Sequence, residues 1–171
     1  SGEVGHMPFI DNGELCYCGK RGCLETVASG IALVNNAKQE IQKGELTKLN
    51  ELHKEELDHL TPTHIIEAAN KGDQFAINQI SKLGTNLGKA FASLIQLLNP
   101  ELIVLGGKIA KANELITIPI QQAINSYTMA ILKEHCDIKV SSLTLDSNTI
   151  GLTNYFITKY LSLELLQKSK I

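Results

Sequence analysis

Residues 2–25, GEVGHMPFIDNGELCYCGKRGCLE, hold three of the four cysteines and one of the five histidines of the 171-residue chain. His6 stands ten positions before Cys16, and Cys18 and Cys23 follow within the same segment. Three thiols and one imidazole are the donor set of a closed tetrahedral zinc site. Their softness argues for zinc over magnesium or calcium. Gly19 and Gly22 lie where a chain wrapping an ion must turn sharply. The alternative is a disulfide or ordinary buried thiols. Cys16 and Cys18 are too close in sequence for a comfortable mutual bridge, and the sequence opens without a charged-then-apolar secretory leader, so a reducing, cytoplasmic compartment is expected. Glu3 and Glu25 flank the segment. By spacing alone they read as a solvated loop carboxylate and a first-turn acid that favours its helix N-terminus. Cys136 has no partner nearby, and His135 and Cys136 read as helix-end residues; His53, His59 and His64 fall in polar helical sequence and are expected to face solvent.

The elements that must position this segment are mostly helical. Leu24, Val27, Ala28, Ile31, Leu33, Val34, Ala37 and Ile41 recur at helical steps, with Gly44 as the stop. ELTKLNELHKEELDHLTP (45–62) is charged and weakly apolar, and is read as a solvated short helix and linker. A helix restarts after Thr61, and the longest periodic run begins at the cap candidate Asp73 and ends at Asn99-Pro100. Gly84 and Gly88 share one face of that run and would admit a neighbouring backbone. After Pro100 the period changes. ELIVLGG reads as a short buried strand, a helix follows from near Asn113 that tolerates Pro119 only near its first turn, DIKVSSLTL is a second strand candidate, and SNTIGLTNYFITKYLSLELLQ a final amphipathic helix. The expectation is one helix-rich α/β domain, with a loop over 1–25, a helical region over 26–99 and a strand-helix-strand-helix portion over 100–171.

A net charge of −2, from 16 basic and 18 acidic residues in mixed order, gives no electrostatic footprint for nucleic acid and no cationic face for a membrane. The longest apolar stretch is broken by Asn99, Pro100 and Glu101, well short of the ~20 residues that span a bilayer.

The run GEVGH, the step to CYCGKRGCLE and the following TVASG closely resemble the ROK family, the bacterial group of repressors, open reading frames and sugar kinases, and NPELIVLGGKIAKANELI resembles that family's later strand-and-glycine segment. The resemblance implies the C-terminal lobe of an actin-like, ribonuclease H-like fold, with sugar bound between two lobes and the N-terminal lobe expected to lie outside this sequence. It implies that Glu3, His6 and Glu25 touch sugar hydroxyls while His6, Cys16, Cys18 and Cys23 hold a structural zinc. The dual role of His6 is physically sound, because a histidine that gives one ring nitrogen to a metal carries its proton on the other and presents a fixed donor. Two carboxylates beside such a donor suit a polyol better than they suit glycoside hydrolysis.

The family divides into ATP- and Mg²⁺-dependent sugar kinases and regulators that couple sugar binding to release of DNA. The catalytic aspartate of the kinases is expected in the other lobe, so no catalytic residue is expected here, and any DNA contact is expected through a segment outside this one. For the kinase alternative, Gly106, Gly107 and Lys108 are the nucleotide-binding candidates. Lys108 stands where family kinases often have a third glycine, and IGLTNYF is bulkier at Leu152 and Tyr155 than the family's usual Gly-Ala-rich step. Both departures favour the regulator. The family's habit of self-association makes a homo-oligomer, dimer or tetramer, the expected assembly.

Overall fold

The computed structural model describes residues 2–51, 57–133, 135–143 and 147–161. His53 lies outside the described residues. The chain divides into two compact units, 1–140 and 141–171.

In the first unit, the helix expected from Leu24 to Ile41 is two helices, α1 (Glu25–Ala28) and α2 (Gly30–Gln42). The break is at Ser29, whose backbone is extended at φ −115° and ψ 167° and whose hydroxyl accepts from the Ala32 N–H at 3.1 Å. Capping a new helix thus outcompetes continuation of the old one. The change of direction leaves Ile31 exposed, although its sequence phase assigns it to the core face. The 45–62 segment forms a 3₁₀ turn at Lys48–Glu51 and delivers two buried side chains, Leu49 and Leu60, into the core. A solvated linker was expected there; isolated leucines anchor it.

Helix α3 (Pro62–Asn70) begins with Thr61 at the N-cap position and Pro62 in the first turn, where a missing N–H costs nothing. His64 is exposed as expected, and its Nδ1 accepts from the Thr61 backbone N–H at 3.3 Å. Helix α4 (Gln74–Leu98) is the spine of the unit. Its cap, Asp73, is buried and accepts from the Ala76 N–H at 2.8 Å, the Lys48 N–H at 2.7 Å and the Thr47 hydroxyl at 2.8 Å. Burial of this carboxylate favours its neutral form, but those donors outweigh it and hold the group below the ordinary carboxylate range. The helix stops at Asn99, which adopts the left-handed conformation at φ 45°.

Helix α5 (Glu114–Tyr127) crosses α4 at the two glycines. A Cβ on Gly84 would lie 2.7 Å from Pro119 Cγ, and one on Gly88 would lie 2.5 Å from the Ile120 carbonyl oxygen. Pro119 sits beyond the first turn, inside the helix, and its ring fills the space that Gly84 leaves. The expected continuation to residue 135 is interrupted: Thr128 is extended, and a separate helix, α6 (Ala130–Lys133), follows. Ile80, Ile95, Ile116, Ile120 and Ile124 are buried together and form the centre of the core.

Strands β1 (Leu102–Leu105) and β2 (Asp137–Val140) pair in parallel, Leu102 with Asp137 through Leu105 with Val140. Ile103, Leu105 and Ile138 pack against the core, whereas Leu102 and Val104 are exposed. The expected buried strand is therefore covered on one face only. His135 is exposed and Cys136 half-buried.

The second unit holds helix α7 (Ser147–Phe156), continued by a π-helical turn at Ile157–Leu161. The Phe156 and Tyr160 rings meet at 5.2 Å, and Lys159 donates to the Tyr155 hydroxyl at 2.7 Å. The rest of the expected final helix, from residue 162 onward, lies outside the described residues. Among the described residues no helix is long and apolar enough to cross a membrane.

Candidate functional site

The glycine-rich segment folds back on itself through short backbone contacts. A single 3₁₀ turn at Val4–His6 opens it. The amides of Phe9 and Ile10 both donate to the Gly22 carbonyl, Gly22 N–H donates to the Glu14 carbonyl at 2.9 Å, and isolated antiparallel bridges join Pro8 to Cys23 and Leu15 to Arg21. Within the inner loop, Cys16 N–H donates to the Lys20 carbonyl at 2.8 Å and Gly19 N–H to the Cys16 carbonyl at 2.9 Å, so the chain reverses between the second and third cysteines. That reversal needs Gly19 at φ +86° and Gly22 at φ +70°, which side chains resist.

These turns bring His6, Cys16, Cys18 and Cys23 together, with their ligand atoms all within 4.8 Å of one another. His6 Nδ1 lies 3.6 Å from Cys16 Sγ, and the sulfurs of Cys18 and Cys23 are also 3.6 Å apart. In a tetrahedral zinc site with Zn–S bonds of about 2.3 Å, sulfurs stand about 3.8 Å apart. The donor set and its spacing fit zinc. All four cysteines are free thiols, and Cys16 and Cys23 are buried while Cys18 is exposed. The backbone N–H of Lys20 lowers the Cys18 thiol below its ordinary range, whereas burial, followed by its contacts with Cys18 and Cys16, pushes Cys23 up to about 11.

The imidazole is oriented as a ligand with a second face. Nδ1 points to the thiols, and Nε2 points away, 2.9 Å from the Tyr17 hydroxyl and 4.0 Å from the Glu3 carboxylate. Glu25 opens α1, immediately after Leu24, and its Oε2 lies over Gly5, 2.9 Å from where a Cβ would stand. Gly5 therefore lets the Glu25 carboxylate approach the backbone beside His6. Asn86 Nδ2 donates to the Val27 carbonyl at 3.2 Å and ties α1 to the α4 spine, which fixes where Glu25 is presented.

Glu25 lies between two open hollows. One, of about 260 Å³, is lined by Cys16, Tyr17, Glu25, Ser29 and Asn35 among others. The second, of about 420 Å³, is lined by Glu25, Ser29, Asn35, Thr61, Pro62 and Lys108. Gly106, Gly107 and Lys108 form the turn after β1, with Gly107 at φ +77°. Lys108 thus borders the same hollow as Glu25. Tyr17, Ser29 and Asn35 were not among the residues singled out from sequence. Tyr17 alone had a usable signal, since a residue between two ligand cysteines has its backbone fixed by the loop.

The structural neighbours of this helix-rich α/β chain are ROK family proteins of the actin-like sugar-kinase fold. The ROK family profile matches residues 1–159, and the chain belongs to the ROK family. It is 34% identical over 152 residues to a glucokinase of Halalkalibacterium halodurans, covering 88% of this chain and 46% of that protein. It is likewise 34% identical over 142 residues to the N-acetylglucosamine repressor of Escherichia coli O6:H1, covering 83% of this chain and 34% of the repressor. A solved ROK family transcriptional regulator, a homologue of the E. coli MLC protein, superposes with a TM-score of 0.76 at 34% identity, over 84% of this chain and 35% of the other. The chain therefore spans less than half the length of these relatives.

Proposed function

We propose that this chain is the sugar-sensing lobe of a ROK-family transcriptional regulator, binding a hexose or amino sugar through Glu3, His6 and Glu25 beside a structural zinc. The observation that carries this reading is the orientation of His6, with Nδ1 among three thiols and Nε2 turned outward toward Glu3. Zinc on Nδ1 leaves the ring proton on Nε2, a donor that cannot reverse its role. Carboxylates accept from sugar hydroxyls and the imidazole donates to another, a combination suited to a neutral polyol. The zinc would be held by His6, Cys16, Cys18 and Cys23, and would supply rigidity and tautomer rather than chemistry on the sugar.

The regulator reading is favoured by Lys108 in the glycine turn and by the bulk of Leu152 and Tyr155. The relatives include both a glucokinase and a repressor, and the 34% identity to the glucokinase supports the second reading, one lobe of an ATP-dependent sugar kinase. In that reading Gly106, Gly107 and Lys108 would face nucleotide phosphates with Mg²⁺. In the kinase reading a second lobe would supply the catalytic aspartate, and in the regulator reading a separate segment would supply the DNA contact. A coupled assay of the whole protein with ATP, Mg²⁺, glucose and N-acetylglucosamine separates them: sugar binding without turnover supports the sensor, and sustained ADP release supports the kinase.

A further inference from the structure

Tyr17 occupies the position that the proposed sugar site needs open. Its hydroxyl lies 2.9 Å from His6 Nε2, and its ring meets the imidazole edge-on, centroids 4.9 Å apart and planes at 81°. With zinc on Nδ1, as proposed above, the bond runs from Nε2–H to the phenol oxygen. The same N–H is the one a sugar hydroxyl would take, and one N–H makes one good linear bond. Tyr17 is 80% exposed, so little packing holds the ring against the imidazole. Backbone hydrogen bonds of Cys16 with Lys20 and Gly19 hold the turn that carries Tyr17. The ring also borders the hollow that Glu25, Ser29 and Asn35 line.

We propose that Tyr17 is a built-in stand-in for a ligand hydroxyl, seated on His6 Nε2 in the ligand-free protein and displaced when sugar binds. The proposal rests on the sugar-site reading above. Tyr17 then lowers sugar affinity by the worth of one exposed hydrogen bond, about two- to tenfold, and protects the donor from adventitious partners.

Calorimetric titration of the zinc-loaded protein with glucose and with N-acetylglucosamine tests it, using the wild type, Tyr17→Phe and Glu25→Gln. The expected result is two- to tenfold tighter binding by Tyr17→Phe at unchanged zinc content, and weaker binding by Glu25→Gln. In ligand-free Tyr17→Phe, the His6 Nε2 proton should also exchange faster with solvent by NMR. If wild-type binding depends on Glu25 but Tyr17→Phe binds equally or more weakly, the stand-in is overturned and the sugar site survives. If the wild type binds neither sugar, or Glu25→Gln binds as the wild type does, the sugar site itself fails and takes this proposal with it.

Discussion

The loop over residues 2–24 and the crossing of α4 and α5 are both tight, but they are held by different physics. At the crossing, Gly84 and Gly88 remove side chains so that Ile116, Pro119 and Ile120 press against helix backbone, with Ile80, Ile95 and Ile124 buried around them. Burial of apolar surface holds that region, at roughly 25 cal/mol per Å². The loop has little such burial. Its order comes from backbone hydrogen bonds around positive-φ glycines and from four ligand atoms converging within 4.8 Å. A region of the first kind tolerates loss of an ion and fails when a methyl group is added. A region of the second kind should depend on the ion, and its left-handed glycines exclude a methyl group as well, since a Cβ on Gly22 would collide with the Ile10 carbonyl.

The largest expected effect breaks the crossing. In an exposed helix, Gly→Ala stabilises by about 1 kcal/mol. At Gly88 the added methyl would lie 2.5 Å from the Ile120 oxygen and 2.6 Å from Ala123 Cβ, so Gly88→Ala should instead cost about 2–3 kcal/mol net. Thermal denaturation should fall by about 5–10 °C, with zinc content unchanged in the folded fraction. An equal or higher midpoint would show that the helices can move apart freely.

Next in size is the loop. Cys18→Ser should lower zinc content and sugar affinity together, while far-UV circular dichroism retains the helical signal, because α2 to α5 pack without the ion. Retained sugar affinity in the metal-poor variant would separate the ligand site from the metal site.

A smaller effect sharpens the contrast between the regions by pH. Asp73 is held below its unfolded value by donors from Ala76, Lys48 and Thr47, so its ionised form stabilises the fold above about pH 4 and that contribution is lost as pH falls through the lower folded value. Asp73→Asn should cost about 1–2 kcal/mol at pH 7 in chemical denaturation, and the difference from wild type should shrink on acidification below pH 4. A difference independent of pH would mean the carboxylate charge plays no part.

What could be read from sequence follows the same division. The clustering of His6, Cys16, Cys18 and Cys23 was legible because their chemistry is carried by residue type and their spacing is short, and Gly84 and Gly88 because two small residues on one helical face have few other uses. Asp73 announced itself as a cap. Ser29 did not, since the apolar period passes through it and only the competing cap at Ala32 breaks the helix there. Leu49 and Leu60 were hidden by the charge around them, and the open face of β1 by the assumption that a short apolar parallel strand is covered on both sides. Tyr17 carried a signal in its place between Cys16 and Cys18, but its contact with His6 was not legible because it depends on where the loop aims both rings.

In the proposed site one ion orders the loop and thereby arms His6 for a sugar. This dependence is tested most directly by sugar titration of the same protein sample before and after removal of zinc by a chelator, with zinc content measured in parallel. One zinc per chain is expected, with sugar binding that disappears with the ion and returns on its readdition, and an unchanged helical spectrum throughout. Equal sugar affinity with and without zinc would contradict it.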